Sequence, residues 1–492
     1  MWGRLAIFAG SFELDAAVDI CGADMDESAF LDTLSPLADK SIVIREQSGP
    51  AVRFRMLETV QEYGIQKIKQ TGEYDQLRRR HRDWYERLAL EAKADWISPH
   101  QLEWLTRLER ELPNLRKALE YSRSGAHAAG LRTTATLFGF WFSSGRITEG
   151  RRWCERMLTA ASDAPAIDRA KALYTSSVFA AQLGDLSAAT SRVAELRTLT
   201  DQTADPAMGA LLAYAAGYTA LNSGDLARAR AELSDAVEAF SASGDVEFHL
   251  RALVILGWSY VLQGDLPSGV ACLETVLAIA DSHGEIEIRS LALRPMALAA
   301  WRQGHHERAE QLLEQALRSA RQVVDPIVIA VSLEVLAWIT VEQRNARRAA
   351  VLLGAAHGLG HAVGSSLNFP HMVDYHDECE RRAYDVLGRP GYDSAFQHGA
   401  AMSLQSAVDF ALGEQHEDVT SADHGSARLT KRERQVVDLI AEGLTNKAIA
   451  ARLVISQRTA EGHVEHILAK LEFTSRTQIA AWAAEHSRDK LA

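Results

Sequence analysis

Cysteine is scarce. Cys21, Cys154, Cys272 and Cys379 stand far apart in 492 residues, and none forms a C-x-x-C pair. That excludes a disulfide framework and a thiolate zinc site and fits a reducing cytoplasm. Proline is scarce too, with 11 residues in a chain rich in Ala, Leu and Arg, which favours helices. No apolar run reaches membrane-spanning length, and no basic stretch precedes an apolar core at the N-terminus. Neither a membrane span nor a secretory leader is expected. The chain has no G-x-x-x-x-G-K-[ST] and no Gly-Lys dipeptide, so no phosphate-cradling loop and no ATP hydrolysis are predicted.

Catalytic and cofactor signals are equally thin. No paired carboxylates or Ser/His/Asp constellation stands out, so no enzyme activity, cofactor or metal is predicted. His371, Asp374, His376, Asp377 and Cys379 crowd together in HMVDYHDEC, but without a metal-ligand spacing. Gly358-x-Gly360-x-x-x-Gly364 misses the dinucleotide-binding spacing and reads as a loop after a helix.

The formal charge of −12 argues against coating nucleic acid along the whole chain. Its distribution is uneven. From Arg428 to Lys490 there are 11 Lys and Arg against 8 Asp and Glu, a net +3 that leaves −15 for the rest. One small basic module on an acidic body is the footprint of local DNA binding.

That module is dense in helix signals. Thr430-Lys431-Arg432-Glu433 is a capping box, followed by the apolar Val436, Val437, Leu439 and Ile440 and a stop at Gly443. Thr445 caps a short second helix with Ile449 and Leu453 inside. After a turn at Val454-Ile455-Ser456, a third helix carries the stripe Ala460, Val464, Ile467, Leu468 and Leu471. Ser475-Arg476-Thr477-Gln478 opens a fourth, containing Ile479 and Trp482. Two short helices with a tight turn make a helix-turn-helix.

The stretch RLTKRERQVVDLIAEGLTNKAIAARLVISQRTAEGHVEHILAKLEFTSRTQIAAWA closely resembles the LuxR-type DNA-binding domain over about sixty residues without gaps. The resemblance implies a four-helix domain whose third helix enters the major groove of double-stranded DNA and whose fourth can pair in a homodimer. The polar face of the third helix then presents Arg458, Glu461, Gly462, Glu465 and Ala469. Glu465 can accept from a cytosine amine, and Arg458 can reach guanine or a phosphate. Phosphate anchoring falls to Lys431, Arg434, Asn446, Lys447, Thr459, Lys470 and Arg476. Ala460 replaces the family's usual Val, and Glu472 its usual Gly, which predicts reduced stability.

The middle of the chain repeats. Gly145, Gly184, Gly224, Gly264, Gly304 and Arg344 lie about 40 residues apart. Five residues after each sits a small residue: Gly150, Ala189, Ala229, Gly269, Ala309 or Ala349. Twelve after comes Met157, Leu196, Ala236, Val276, Ala316 or Ala356, and six before three of them lies Tyr218, Trp258 or Trp338. Gly-Asp at 184, 224 and 264 turns the chain, the small residue lets two helices approach, and the aromatic fills the space between pairs. This resembles a tetratricopeptide array of the form found in MalT-like regulators, and leaves open a protein partner or a small-molecule inducer. After Leu359 the pattern fades into loops and a last helical pair.

At the N-terminus, Ser41–Arg45 and Ala51–Met56 alternate as strands around Gln47-Ser48-Gly49-Pro50. LADKSIVI and VRFRMLETVQEYG resemble the winged helix that follows the ATPase domain of STAND-type regulators, and WLTRLERELPNLRKAL resembles the entry to their repeats. The resemblance implies a wing packed inside the protein, with no DNA contacts from Arg53 or Arg55, and an upstream ATPase missing from this chain.

The expected protein is mainly α: a helical-repeat superhelix with an N-terminal winged helix and a C-terminal four-helix LuxR-type helix-turn-helix. The boundaries are 1–70 for the winged helix, 71–413 for the repeats, 414–427 for a linker and 428–492 for the DNA-binding domain. The function expected is transcription regulation. The alternatives are an interaction scaffold with a decayed helix-turn-helix, suggested by Ala460, Glu461 and Glu465, and the C-terminal part of a larger ATP-dependent switch.

Overall fold

A computed structural model describes residues 1–22, 25–48, 51–364, 370–414, 431–441, 444–453, 463–464, 467–468, 479 and 482–483. They fall in two compact units, Met1–Glu414 and Gln415–Ala492.

The first unit opens with helix Trp2–Leu5, β1 (Ser11–Glu13), helices Leu14–Cys21 and Glu27–Asp39, then β2 (Val43–Ser48) and β3 (Ala51–Met56). The antiparallel sheet has the order β1-β3-β2, with Val43 opposite Met56 and Ser48 opposite Ala51. This is the helix–strand–helix–helix–hairpin order of a winged helix. Two details differ from the sequence reading. β2 starts at Val43 and runs through Gln47 and Ser48, because Ser41 takes a left-handed backbone (φ 55°) that breaks extension before it. β1 had no sequence signal, since three residues cannot display a period. It pairs Ser11 with Arg55 and Glu13 with Arg53. Phe8, Phe12, Ile20, Phe30, Val43 and Phe54 form the apolar core here.

Helices Glu58–Thr71, Tyr74–Ala94 and Gln101–Arg123 lead into the repeats. Five pairs follow in unbroken register: Ala166–Gln182 with Leu186–Thr203, Pro206–Ser223 with Leu226–Ser243, Val246–Gln263 with Leu266–His283, Glu287–Arg302 with His306–Val323, and Pro326–Glu342 with Ala346–Val363. The 40-residue period is two halves of twenty. Left-handed residues stand at Gly184, Ala204, Gly224, Gly244, Gly264, Gly284, Gly304, Val324, Arg344 and Gly364, with φ between 49° and 96°. Each helix ends there because a left-handed residue lets free amides reach back to the last carbonyls. Ala204, Val324 and Arg344 do this without glycine, at about 1–2 kcal/mol each.

The next residue often caps the following helix. Asp185, Asp225, Asp265 and Asn345 accept from the amide three residues on; at the other half-turns Asp245 does the same, Asp205 accepts from the amide two residues on, and Asp325 from both the second and the third. Such a cap is worth about 1 kcal/mol. The small residues and the positions twelve beyond each marker are buried throughout, as are Tyr218, Trp258 and Trp338.

The end of the array corrects the loop reading. Gly358 and Gly360 lie inside helix Ala346–Val363, which packs on helix Val373–Ala400. Backbones nearly touch there: a Cβ on Gly354 would sit 2.0 Å from the Phe396 carbonyl oxygen, and one on Gly399 1.9 Å from that of Val351. The glycines serve close approach. Helix Leu404–Leu412 follows, and Glu414 is held by Arg318 (2.6 Å) and Arg321 (2.9 Å), within the first unit. The rest of the stretch read as a linker, 415–427, lies outside the described residues.

Candidate nucleic-acid interface

The C-terminal unit begins with helix Lys431–Ala441. Its sequence places Val436, Val437, Leu439 and Ile440 on one side, and all four are buried. Leu444 returns its amide to the Leu439 carbonyl (3.1 Å), and Thr445 Oγ1 accepts from the Ala448 amide (3.3 Å), so Thr445 caps helix Asn446–Leu453. Ile449 and Ala450 face inward. The same core takes in Val464, Ile467, Ile479 and Ala483, with Leu453, Leu468 and Trp482 against it. Apolar side chains from all four expected helices therefore meet in one cluster. Glu433, the acidic member of the first capping box, is buried; Thr430 lies outside the described residues.

The cations divide by role. Arg432 donates from Nη2 to the Leu453 carbonyl (2.6 Å) and from Nη1 to Gln435 (2.9 Å), tying the first helix to the end of the second. Arg434 is exposed and Asn446 half-buried at the start of the second helix, where free amides and the helix dipole favour a phosphate. Arg452, which the sequence reading passed over, is also exposed on the last turn of that helix. Lys431 and Lys447 occupy the first turns of their helices, with side chains outside the described residues. Arg458, Thr459, Glu461, Gly462, Glu465, Lys470 and Arg476 lie outside them altogether.

The N-terminal wing is arranged in the opposite way. Arg53 is 2% exposed, with Nη1 2.6 Å from Glu111 and 2.9 Å from Glu13. Tyr85 (2.7 Å) and Asn114 (2.9 Å) donate to the other Glu111 oxygen. Burial still holds the Glu111 carboxyl above its ordinary range. Arg55 pairs with Glu46 across the hairpin. The helix in the groove-reading position, Glu27–Asp39, carries Glu27, Asp32 and Asp39 and no Lys or Arg. A phosphate backbone would meet net negative charge there.

The HMVDYHDEC residues divide between partners inside the fold and solvent, where Asp374 and Asp377 are exposed. His371 Nε2 donates to the Gly224 carbonyl (2.9 Å), His376 Nδ1 meets Glu334 (2.5 Å), which raises the His376 pKa, and Cys379 is buried. Among the described residues no group of three or more His, Cys, Asp or Glu could hold a metal ion. Nor is any helix among them long and apolar enough to cross a membrane.

Residues 427–483 match the family described as bacterial regulatory proteins, luxR family. An HTH-type transcriptional regulator of Mycobacterium bovis is 36% identical over 160 residues, 32% of this chain and 18% of that protein. The nitrate/nitrite response regulator NarL of Escherichia coli is 49% identical over 55 residues, 11% of this chain and 26% of NarL. The chain thus spans under a fifth of the length of the first curated relative it matches. Among solved structures, a signal-transduction ATPase with a tetratricopeptide repeat sensor from Pyrococcus horikoshii superposes with TM-score 0.44 and 12% identity, over 84% of this chain and 64% of that one. The chain carries a LuxR-type domain at its C-terminal end.

Proposed function

We propose that this chain, with its LuxR-type domain, is a transcription regulator that binds double-stranded DNA through residues 428–492. The helical repeats, from 71 onwards through Glu414, receive a protein or small-molecule inducer, behind a winged helix at 1–70 and ahead of a linker at 415–427. One observation carries the reading: the luxR-family match at 427–483 coincides with a unit that gathers its apolar residues into one core and leaves Arg434 facing out. In this reading Arg458, Glu461, Gly462 and Glu465 meet base edges. Lys431, Arg434, Asn446, Lys447, Thr459, Lys470 and Arg476 anchor phosphates. Two copies bind two half-sites, and the chain works in the cytoplasm without catalysing a reaction.

Genomic footprinting followed by a salt titration on a recovered site tests this. Sequence-specific protection should weaken steeply with salt, each neutralised phosphate adding about 0.9 to the slope of log K against log salt. A flat, weak response across all sequences would mark a scaffold instead.

A further inference from the structure

Two arginines lie in the interior of the repeats, and their surroundings differ. Arg251, on helix Val246–Gln263, is matched: Nε lies 3.0 Å from Glu247, Nη2 lies 2.8 Å from Glu287, and the guanidinium stands over the Phe138 ring. Arg294, on helix Glu287–Arg302, is 6% exposed, yet its Nε has no partner and it forms no ion pair among the described residues. It sits 6.0 Å from the Trp258 ring centroid. The acid that acts on it from a distance is Asp325, whose Oδ1 is taken by the amides of Ile327 and Val328 and whose Oδ2 is unpartnered. Burial pushes the Asp325 carboxyl up to about 7, so it is only partly ionised at neutral pH. Burial lowers Arg294 to about 10, which leaves it cationic. A buried cation with unsatisfied donors is costly, and a fork of N–H groups is shaped for a planar anion.

Arg294 lines a recess of about 40 Å³. One water needs about 10–15 Å³ on this measure, so the recess admits a group of about three atoms. Tyr214, Tyr218, Trp258, Leu291 and Ile327 share its walls, which leave room for a small anionic head and no more than a methyl group behind it. The repeat register makes the placement specific. Residues forty apart at this position are Tyr174, Tyr214, Val254, Arg294 and Glu334, so one repeat alone presents a cation there.

We propose that this recess binds a carboxylate of the size of formate or acetate, with Arg294 as the anchor and the Trp258 and Tyr218 side of the recess lining it. The proposal deepens, and rests on, the reading of the repeats as the inducer-sensing region.

Thermal unfolding and titration calorimetry of the full chain test it with formate and acetate, against neutral acetamide and inorganic phosphate at matched ionic strength. At least one carboxylate should raise the unfolding midpoint while acetamide and phosphate do not. Arg294→Met should weaken that binding by about tenfold or more, and Arg294→Lys should retain part of it. Without ligand, Arg294→Met should leave the midpoint unchanged or raised, whereas Arg251→Met should lower it by stranding the buried Glu287, Glu247 keeping Lys93. The proposal is overturned by equal shifts with acetamide, by a phosphate response without a carboxylate one, or by the absence of any Arg294-dependent shift. It is also overturned if Arg294→Met destabilises the ligand-free chain as much as Arg251→Met. Arg294-dependent binding that leaves DNA footprints unchanged supports the site and removes the sensing role.

Discussion

The chain has a DNA-binding type of module at each end, and the two dispose of their charge in opposite ways. In the N-terminal wing, Arg53 is sealed against Glu13 and Glu111, and the groove-position helix is acidic. Among the described residues of the C-terminal unit, Arg434 and Arg452 face out, and Arg432 is used internally. A shared architecture therefore does not confer a shared function; the disposition of cations does. A guanidinium already desolvated and paired with two carboxylates has nothing left for a phosphate.

The largest expected effect comes from breaking the sealed side. Arg53→Met leaves the buried Glu111 without its cation, while Glu13 keeps Arg110 at 3.0 Å, and should cost about 3–5 kcal/mol in urea unfolding, with DNA affinity of the folded protein unchanged.

Acid should act on the same region. His81 is fully buried among Phe8, Tyr85 and Tyr121, and burial pushes its pKa down to about 3. The unfolded chain takes up this proton near pH 6.5 and the folded chain does not, so the stability is present above that pH and lost as pH falls towards 3. By pH 5 the loss should be about 2 kcal/mol. Melts at pH 7 and pH 5 should show it, and His81→Phe should reduce the difference.

On the open side, Arg434→Glu with Lys447→Glu should weaken DNA binding by about tenfold and lower the salt slope by about two, without moving the unfolding midpoint of the first unit. The smallest effect belongs to Arg55, in a half-exposed pair with Glu46. Arg55→Gln should change stability by less than about 0.5 kcal/mol and leave footprints intact. Footprints lost in that variant would show that the wing touches DNA after all, and the contrast between the two ends would fall.

Much of this was legible before any coordinates. Gly184, Gly224, Gly264, Gly304 and Arg344 mark one backbone event, and Arg344 could be aligned with the glycines because the period demanded it. The intervening half-period was hidden, because Ala204 and Val324 reach the same left-handed turn without advertising it. Gly358 and Gly360 misled as a loop: glycine marks turns and close helix crossings alike, and only the partner helix tells them apart. At the candidate interface the apolar stripes foretold the core at Val464, Ile467 and Ile479. The sequence reading set Arg434 and not Arg432 among the phosphate anchors, and only the structure shows what Arg432 does instead, holding the Leu453 carbonyl.

Local periodicity and capping chemistry are carried by residues a few positions apart, so the helical repeats, their register and the LuxR-type module could be read from the chain alone. Whether a charged side chain is spent on a neighbour or left available depends on residues far away in sequence: Arg53 on Glu111, Arg251 on Glu287, Arg294 on no ion pair among the described residues. Desolvation and pairing act through space, and only the tertiary structure decided them.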